Sequence, residues 1–190
     1  MVYFTDIKKE NEEIIKQLYI DSFPEIERKP YSFMVSLCRK KKAWLYEIHD
    51  RDSKEIVGMC YLLHDKKNIL FDYFAIMPKY QSCGYGAEVL RELSRIYGDY
   101  RIFGEVEPID EKAVNNAQRI RRMKFYIQNG VKPTGIRVSL FGCELELMYM
   151  GDTPVTYEQY IDFQKYIFGF WGRRVVKKNI SFIGNVNPVE

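Results

Sequence analysis

The order of hydrophobic and polar positions divides the chain into short strands and amphipathic helices. In the stretch from Asn68 to Tyr97, a run rich in Ile, Leu, Phe and Tyr is interrupted by Pro78. After two glycines, hydrophobic side chains recur at the spacing of one helical face, at Leu90, Leu93 and Ile96. This pattern predicts a strand, a glycine loop and a helix in direct succession. The start of such a helix presents backbone N–H groups without intrahelical partners, so the junction is suited to binding a phosphate or pyrophosphate.

The remaining periodicity predicts a chain of mixed α and β structure. Apolar runs predict strands at residues 2–7, 43–50, 56–64 and 100–107, and one further strand, or a hairpin interrupted at Gly142, at residues 138–149. Amphipathic patterns predict helices at residues 10–23, 32–41 and 117–129. Because a helix that connects two strands of one sheet makes them parallel, we expect the strands on either side of the glycine loop and its helix to be parallel neighbours.

The last forty residues carry a pattern of their own. Thr156 and Gln159 have the spacing of a capping box, which predicts the start of a helix. Five large side chains share one stripe of this helix: Tyr157, Tyr160, Phe163, Tyr166 and Ile167. We interpret the stripe as a packing surface or a dimer contact rather than a cofactor site. Four cations beyond it predict a basic tail: Arg173, Arg174, Lys177 and Lys178.

Composition limits the class of protein and of partner. The 190 residues are 46% hydrophobic, which is enough for one buried core, and the formal net charge is only +3. So low a charge argues against a general nucleic-acid-binding protein. No apolar run is long enough to span a membrane, and the first dozen residues become polar, unlike a secretory signal peptide. We therefore expect a soluble cytoplasmic protein without a membrane or nucleic-acid partner.

The cysteines and histidines do not form a metal-binding pattern. The four cysteines are widely spaced without a CxxC pair, and His49 and His64 stand apart from each other. Neither a metal site nor a disulfide framework is expected from this spacing. Reduced thiols fit the cytoplasmic expectation.

The glycine loop has the form QxxGxG, from Gln81 to Gly86. The dinucleotide-binding pattern GxGxxG is not matched, because Val89 stands where its third glycine would be, and the P-loop pattern is absent. Two interpretations remain. The loop is either an anion site, or a strand-to-helix turn that needs glycine only for its backbone conformation.

Two segments of the chain resemble those of a known family. Residues 74–93, FAIMPKYQSCGYGAEVLREL, resemble the acyl-CoA-binding motif of the GNAT superfamily of N-acetyltransferases. Residues 119–131, RIRRMKFYIQNGV, resemble the helix of that superfamily that ends in FYxxxGF. The resemblance is good over residues 55 to 150, rests on pattern alone before them, and hardly extends to the last forty residues.

The resemblance implies a fold, a domain arrangement and a co-substrate. It implies a mixed α+β fold, in which helices flank a mostly antiparallel central sheet whose parallel pair splays around the acyl-CoA site. We expect one domain of this type over residues 1–150, with residues 151–190 adding a C-terminal helix and the basic tail packed on the same domain. The implied co-substrate is acetyl-CoA, and no metal is required.

The resemblance also implies which residues hold the acyl donor. The exposed edge of the strand at Phe74, Ala75 and Ile76 would pair with the pantetheine amides. The pyrophosphate would lie on the glycine loop, so the remaining expected donor-binding residues are Gln81, Ser82, Cys83, Gly84, Tyr85, Gly86, Ala87 and, for its charge, Arg119. Arg119 stands where the family commonly has an asparagine, and Asn115 and Asn116 are displaced upstream, so an asparagine contact to coenzyme A is in doubt.

Three residues are candidates for proton transfer. Glu105 and Glu107 are two positions apart on a predicted strand, so both side chains project from one face about 7 Å apart. Either is a candidate general base, and Glu105 is favoured because Glu107 adjoins Pro108; the alternative is that they face solvent. Tyr126 matches the tyrosine that in the family lies near the thioester sulfur, which implies a general acid. Without that context, an aromatic side chain on a helix is an ordinary core residue.

We therefore expect an acetyl-CoA-dependent N-acyltransferase that moves an acetyl group to a primary amine by direct attack on the thioester. The acceptor, a small molecule or a peptide or protein amine, has no signature in the sequence. The alternative is a non-catalytic acyl-CoA-binding sensor or scaffold. A nucleic-acid-binding protein that uses the basic clusters is a third class. The protein is expected to be a monomer or a homodimer.

Overall fold

Within residues 1 to 186, which the computed structural model describes, the chain forms eight β-strands and six α-helices. The strands are β1 (Val2–Asp6), β2 (Ala43–Asp50), β3 (Ile56–His64), β4 (Asn68–Ile76), β5 (Arg101–Val106), β6 (Val131–Leu140), β7 (Cys143–Met150) and β8 (Ile180–Asn185). The helices are α1 (Glu12–Ser22), α2 (Tyr31–Arg39), α3 (Tyr85–Tyr97), α4 (Asn116–Gln128), α5 (Tyr157–Phe168) and α6 (Gly172–Asn179).

The fold class predicted from the sequence is confirmed. The chain is a mixed α+β protein with an eight-stranded, mostly antiparallel sheet that includes a parallel pair and is flanked by helices. It divides into two compact units. The first consists of Met1–His64 and Phe71–Tyr97, and the second of Asp65–Leu70 and Gly98–Glu190, described here as far as residue 186.

The first unit contains the strands β1, β2, β3 and most of β4. β1 and β2 are antiparallel, with Val2 opposite Asp50, and β2 and β3 are antiparallel as well. Every residue of β3 between its two ends is buried, so this strand is covered on both faces. The buried faces of α1 and α2 come from the apolar stripes that predicted these helices, including Ile15 and Met34.

The second unit contains β5, β7, β6 and β8 in sheet order, and each neighbouring pair is antiparallel. The segment at 138–149 is a hairpin, and its first strand already begins at Val131. The turn places Phe141 and Gly142 at positive φ, 50° and 85°. α5 begins with the predicted capping box, in which the side chains and backbone N–H groups of Thr156 and Gln159 bond reciprocally.

The segment predicted as a basic tail has regular structure instead. Its four cations lie on α6, and β8 follows directly and pairs with β6. The sequence did not indicate this strand, because Ser181 to Ile183 are exposed and lack an alternating pattern with one buried face. Residues 187–190, which the tail also included, lie outside the described residues. Among the helices of residues 1–186, none combines the length and apolar character of a membrane span.

Candidate functional site

The glycine loop joins β4 to α3 within the first unit. After Ile76, a short 3-10 turn over Pro78–Tyr80 leads into the loop, which is exposed from Gln81 to Gly84. The side-chain amide of Gln81 donates a hydrogen bond of 3.1 Å to the carbonyl of Ile76. The loop is therefore held against the end of its own strand by the glutamine of the QxxGxG pattern.

The backbone of this loop turns through two residues of positive φ. Ser82 has φ 63° and Gly84 has φ 86°. A Cβ added at Gly84 would meet no atom within 4 Å, so glycine is required here by the backbone conformation and not by a lack of space. The positive φ angles are compatible with both interpretations of the loop, a simple turn and an anion site. The anion interpretation depends on the backbone N–H groups of the residues after Gly84.

The first turn of α3 supplies those N–H groups. The helix begins at Tyr85, and the N–H of Glu88 bonds to the carbonyl of Gly84 at 3.2 Å. The N–H groups of Tyr85, Gly86 and Ala87 precede the first intrahelical bond, at the positive end of the helix dipole. The geometry can therefore accept an anionic group at the start of α3.

The first residue of α3 is fixed to the β2–β3 turn. The Tyr85 hydroxyl donates a 3.1 Å hydrogen bond to Asp50, which also accepts the N–H groups of Asp52 and Ser53. Burial and the hydrogen bond to Asp50 raise the pKa of Tyr85, whereas the hydrogen bond from the Ser53 N–H is the main cause of a lowered pKa for Asp50. Tyr85 thus remains a neutral donor, and Asp50 an ionised acceptor, at neutral pH.

The strand segment expected to pair with pantetheine is closely packed on one side. Ala75 is buried, whereas Phe74 and Ile76 are partly exposed. A Cβ at Gly58 would clash with the carbonyl oxygen of Ala75, so glycine at this position lets β3 approach the segment. Sequence reasoning did not single out Gly58, although a glycine inside a buried strand is a recognised signal of close approach.

Glu105 lies on β5 in the second unit and is bound by α5. Its Oε1 accepts a 2.6 Å hydrogen bond from the Tyr160 hydroxyl and a 3.1 Å bond from the Gln164 amide. Both donors belong to buried residues, and Tyr160 and Phe163 also pack their rings against Phe103 of the same strand. The structure therefore uses the predicted aromatic stripe for packing within the chain, with only Tyr166 of that stripe exposed.

Glu107 follows the end of β5 and is bound by α4 and the segment before it. Its carboxylate lies 2.6 Å from Arg119 and 3.3 Å from Arg122, and Asn115 donates to it at 3.3 Å. The two glutamates were expected to share one face and one role. The contacts described above involve different elements for the two carboxylates, since α5 supplies the two donors to Glu105, whereas α4 supplies Arg119 and Arg122 to Glu107.

Arg119 is engaged on several sides within the second unit. Besides Glu107, it donates to the side-chain oxygen of Asn115 at 2.8 Å and to the carbonyl of Pro108 at 3.0 Å. It was expected to bind coenzyme A phosphates. The observed contacts link the start of α4 to the end of β5, and the displaced Asn115 takes part in them. Binding of coenzyme A phosphates by Arg119 stays a prediction.

Tyr126 lies on α4 and is half-buried beside Phe125, with ring centroids 5.3 Å apart. Burial raises the pKa of its hydroxyl, and the positive charge of Arg122 partly opposes this effect. The hydroxyl is therefore protonated at neutral pH. This is the state that a proton donor requires, although an ordinary partly buried tyrosine has it too.

The loop between α1 and α2 is bound to β4 by contacts that the sequence did not reveal. The Lys29 ammonium lies 2.8 Å from both carboxylate oxygens of Asp72, whose side chain is only 5% exposed. The Tyr73 hydroxyl donates to the carbonyl of Glu27 and accepts the N–H of Lys29. These contacts hold the loop between α1 and α2 against β4.

The described residues contain no obvious metal site. Within residues 1–186, no three His, Cys, Asp or Glu side chains are grouped as they would be around a metal ion. The four cysteines are free thiols, and Cys83 of the glycine loop is exposed.

Comparison with known proteins identifies the family. The family model described as "Acetyltransferase (GNAT) family" matches residues 12–121, which is more than half of the chain. The chain belongs to the acetyltransferase (GNAT) family. The resemblance found in the sequence is thereby confirmed, and the family's co-substrate is acetyl-CoA. Tyr126 lies beyond the matched residues.

Solved structures with the same fold include several acetyltransferases. A protein from Bacteroides thetaiotaomicron described as a GNAT-family acetyltransferase is 19% identical, with a TM-score of 0.71, over 90% of this chain and 98% of its own. Spermidine N-acetyltransferase from Vibrio cholerae, in a dodecameric structure, is 15% identical, with a TM-score of 0.55, over 78% and 92%. A Bacillus subtilis acetyltransferase in complex with CoA is 14% identical, with a TM-score of 0.53, over 80% and 98%. No curated protein matches the sequence.

Membership of the GNAT family supports acetyl transfer as the general activity of the chain. The structural likenesses are all below 25% identity, so they establish the shared fold and not a shared acceptor. What remains for this chain is the assignment of its own residues to the donor, the acceptor and the proton transfers.

Proposed function

We propose that this GNAT-family protein transfers the acetyl group of acetyl-CoA to a primary amine by direct attack of the amine nitrogen on the thioester carbonyl carbon. The observation that carries the proposal is the exposed loop from Gln81 to Gly84 with the first turn of α3 behind it. Family membership adds the identity of the donor. The acceptor is proposed only as a class, a primary amine of a small molecule or peptide.

In this proposal the glycine loop binds the donor's pyrophosphate. The N–H groups from Cys83 to Ala87 would donate to the phosphate oxygens, and the positive φ of Gly84 allows the backbone to turn toward them. Phe74 to Ile76 would pair with the pantetheine amides through the strand edge. Arg119 is proposed to contribute its positive charge to this binding while it keeps its contacts with Glu107, Asn115 and Pro108.

Glu105 is proposed as the general base. A primary amine is mostly protonated at neutral pH, so an ammonium proton must be removed before nitrogen can attack. The Glu107 carboxylate is already engaged in ion pairs with Arg119 and Arg122. The Oε1 of Glu105 accepts hydrogen bonds from Tyr160 and Gln164, and these two bonds orient the carboxylate.

Tyr126 is proposed as the general acid. When the new N–C bond forms and the C–S bond breaks, the electron pair passes to sulfur, and the thiolate requires a proton. A phenol that remains protonated at neutral pH can donate it, directly or as a hydrogen bond. Support comes from the match between the FYxxxG segment and the family pattern.

We further propose that residues 1–150 make up the acetyltransferase domain and that the segment from residue 151 is an extension which supports Glu105 through α5. The free cysteines fit a cytoplasmic location, and the protein is proposed to act as a monomer or a homodimer.

The proposal is tested by a transfer assay. Purified protein is mixed with acetyl-CoA and a broad panel of primary amines, and the release of free CoA thiol and the acetylated amine are both measured. We expect thiol release that depends on the amine and matches the acetylated product one to one. Protein that binds acetyl-CoA with no thiol release across the panel would favour the sensor alternative instead.

A further inference from the structure

A surface at the C-terminal end of the described chain has no role in the proposed transfer. We define the α6 surface as the following six residues: Phe170, Trp171, Arg173, Arg174, Lys177 and Lys178. Phe170 is 94% exposed and Trp171 is 61% exposed, although both are large aromatic side chains. The four cations are exposed as well. Exposed aromatic groups beside uncompensated cations indicate an interaction surface.

The sequence spacing places these side chains on one face. Arg173 and Lys177 are four residues apart, as are Arg174 and Lys178, so each pair lies on the same side of α6. Phe170 precedes Arg173 by three residues and continues the stripe toward the N-terminus. The opposite face of the helix is buried, at Gly172 and Val176.

Packing against α5 fixes the orientation of this face. A Cβ at Gly172 would clash with the backbone of Lys165, so glycine lets the start of α6 approach α5 closely. Gly169 ends α5 at positive φ and turns the chain into the segment that carries both aromatic residues. The α6 surface is therefore held outward by the fold.

The four cations of the α6 surface have no ion-pair partner in the part of the chain that the structure describes. Among residues 1–186, no carboxylate lies within 4 Å of any of the four cations. Like charges four residues apart repel each other. Arg173 and Arg174 also lie in the first turn, where the helix dipole disfavours positive charge. Four exposed cations on one side of a helix, without carboxylate partners among residues 1–186, favour an anionic partner outside the chain.

We propose that the α6 surface binds the anionic phospholipid surface of a membrane, with Phe170 and Trp171 inserted at the level of the headgroups. Tryptophan and phenylalanine partition into that interface, and a basic helix face is attracted to acidic lipids. The rings of Phe170 and Trp171 are nearly perpendicular, at 87°, so they do not offer parallel faces for stacking successive nucleic-acid bases. The proposal is independent of the transfer reaction and replaces the expectation that no membrane partner exists.

The test is co-sedimentation of the full chain with lipid vesicles. One set is phosphatidylcholine alone, and the other contains about 30% phosphatidylserine. We expect binding to the acidic vesicles, little binding to the neutral ones, and release at about 0.5 M salt. Because each cation near the surface contributes roughly fivefold in partitioning, the Arg173→Gln/Lys177→Gln double variant should bind about twenty-fivefold more weakly.

A matched variant and a spectroscopic signal complete the experiment. Arg39→Gln/Lys40→Gln changes the net charge equally at another exposed basic cluster, and it should bind acidic vesicles as the unchanged protein does. The chain has only two tryptophans, so in a Trp44→Phe background Trp171 reports alone, and its emission should shift to the blue on acidic vesicles.

Three results would overturn the proposal. The first is equal binding to neutral and acidic vesicles, or none to either. The second is an equal loss of binding in both double variants, which would indicate net charge alone. The third is binding to a single-stranded oligonucleotide without vesicle binding, which would assign the α6 surface to nucleic acid. Similar thermal unfolding of all variants is the check that they remain folded.

Discussion

The hydroxyl of Tyr160 donates a 2.6 Å hydrogen bond to the Oε1 of Glu105, and it does so from a fully buried position on α5. A short bond from phenol to carboxylate is strong and directional, so it fixes the orientation of the acceptor. The proposed general base is thus positioned by a helix outside the part of the chain that resembles the family motifs.

If Tyr160 positions the base, the Tyr160→Phe variant should lose activity and still bind acetyl-CoA. We expect kcat to fall by about tenfold, because a misoriented base transfers protons less often, while KM for acetyl-CoA stays nearly unchanged. Steady-state kinetics measure both. Tyr157→Phe, on the same helix, keeps its ring contact with Phe182 and should leave kcat unchanged. Equal effects of the two variants would reduce Tyr160 to a packing residue.

Substitution of Glu105 should mainly change kcat, whereas substitution of Glu107 should mainly change the stability of the protein. Glu105→Gln should lower kcat by about a hundredfold or more, with acetyl-CoA affinity preserved, because the base is removed. Glu107→Gln should mainly cost stability, about 1–2 kcal/mol, because Arg119 and Arg122 lose a partly exposed anionic partner. Kinetics and urea unfolding of both variants separate the roles. A larger loss of kcat in Glu107→Gln would reverse the assignment of the base.

Gly84→Ala tests the glycine loop. At φ 86° an alanine is strained by about 1 kcal/mol, and relief of that strain would move the N–H groups that follow. We expect weaker CoA binding by calorimetry together with a small loss of stability. Gly142→Ala is a matched control, since its φ is 85° and open space surrounds it as well, but it lies in the β6–β7 turn. Similar losses of CoA affinity in both variants would mean that strain alone is responsible.

Lys29→Met should be among the more destabilising single changes in the first unit. It leaves the Asp72 carboxylate, which is 5% exposed, without its counter-ion, at an expected cost of about 2–3 kcal/mol. The double variant Lys29→Met/Asp72→Asn should recover most of that loss, because no buried charge remains. Urea unfolding of the two singles and the double measures the coupling. If the losses of stability in the two single variants simply add in the double variant, Lys29 and Asp72 are not energetically coupled, which would contradict the prediction.

Glu146 should give the protein a component of stability that falls as the pH rises. Burial raises the pKa of its carboxyl, Arg137 opposes this only in part, and its Oε1 has no hydrogen-bond partner among the described residues. The unfolded chain therefore releases this proton first, so stability declines as the pH rises above the ordinary value of 4.5. Glu146→Gln should gain stability over the unchanged protein between acidic and neutral pH, as measured by urea unfolding. A Glu146→Gln variant that stays less stable than the unchanged protein throughout this pH range would contradict the prediction.

The sequence predicted the strands and helices that are determined by the pattern of residues within the segment itself. β2 and β3 have the predicted bounds, and the strand, loop and helix around Gly84 follow from apolar runs and glycine positions. The start of β6 was missed because Pro133 and Gly135 argue against a strand, and the structure accommodates them with a shift of register between Pro133 and Arg137.

The environment of the candidate site was less accessible to sequence reasoning. Glu105 and Glu107 could be found from their spacing and from the family resemblance. Their partners could not be found in this way. Tyr160 is distant in sequence from Glu105, and a loop separates Arg119 from Glu107, so only the packing of the chain brings each pair together. The same holds for β8, which is a strand only because β6 is available to pair with it.

The pairing of β8 with β6 has a consequence for shortened chains. A chain cut after residue 151 would keep the glycine loop, both glutamates and Tyr126, and would still match the family. It would lose the strand that covers the backbone edge of β6, which would then be open to pairing with other molecules. It would also lose both donors to Glu105. Such a chain would possess the family motifs and yet be prone to aggregation, with a base that lacks its supporting donors. The last 39 residues of the chain therefore decide whether the motifs can work.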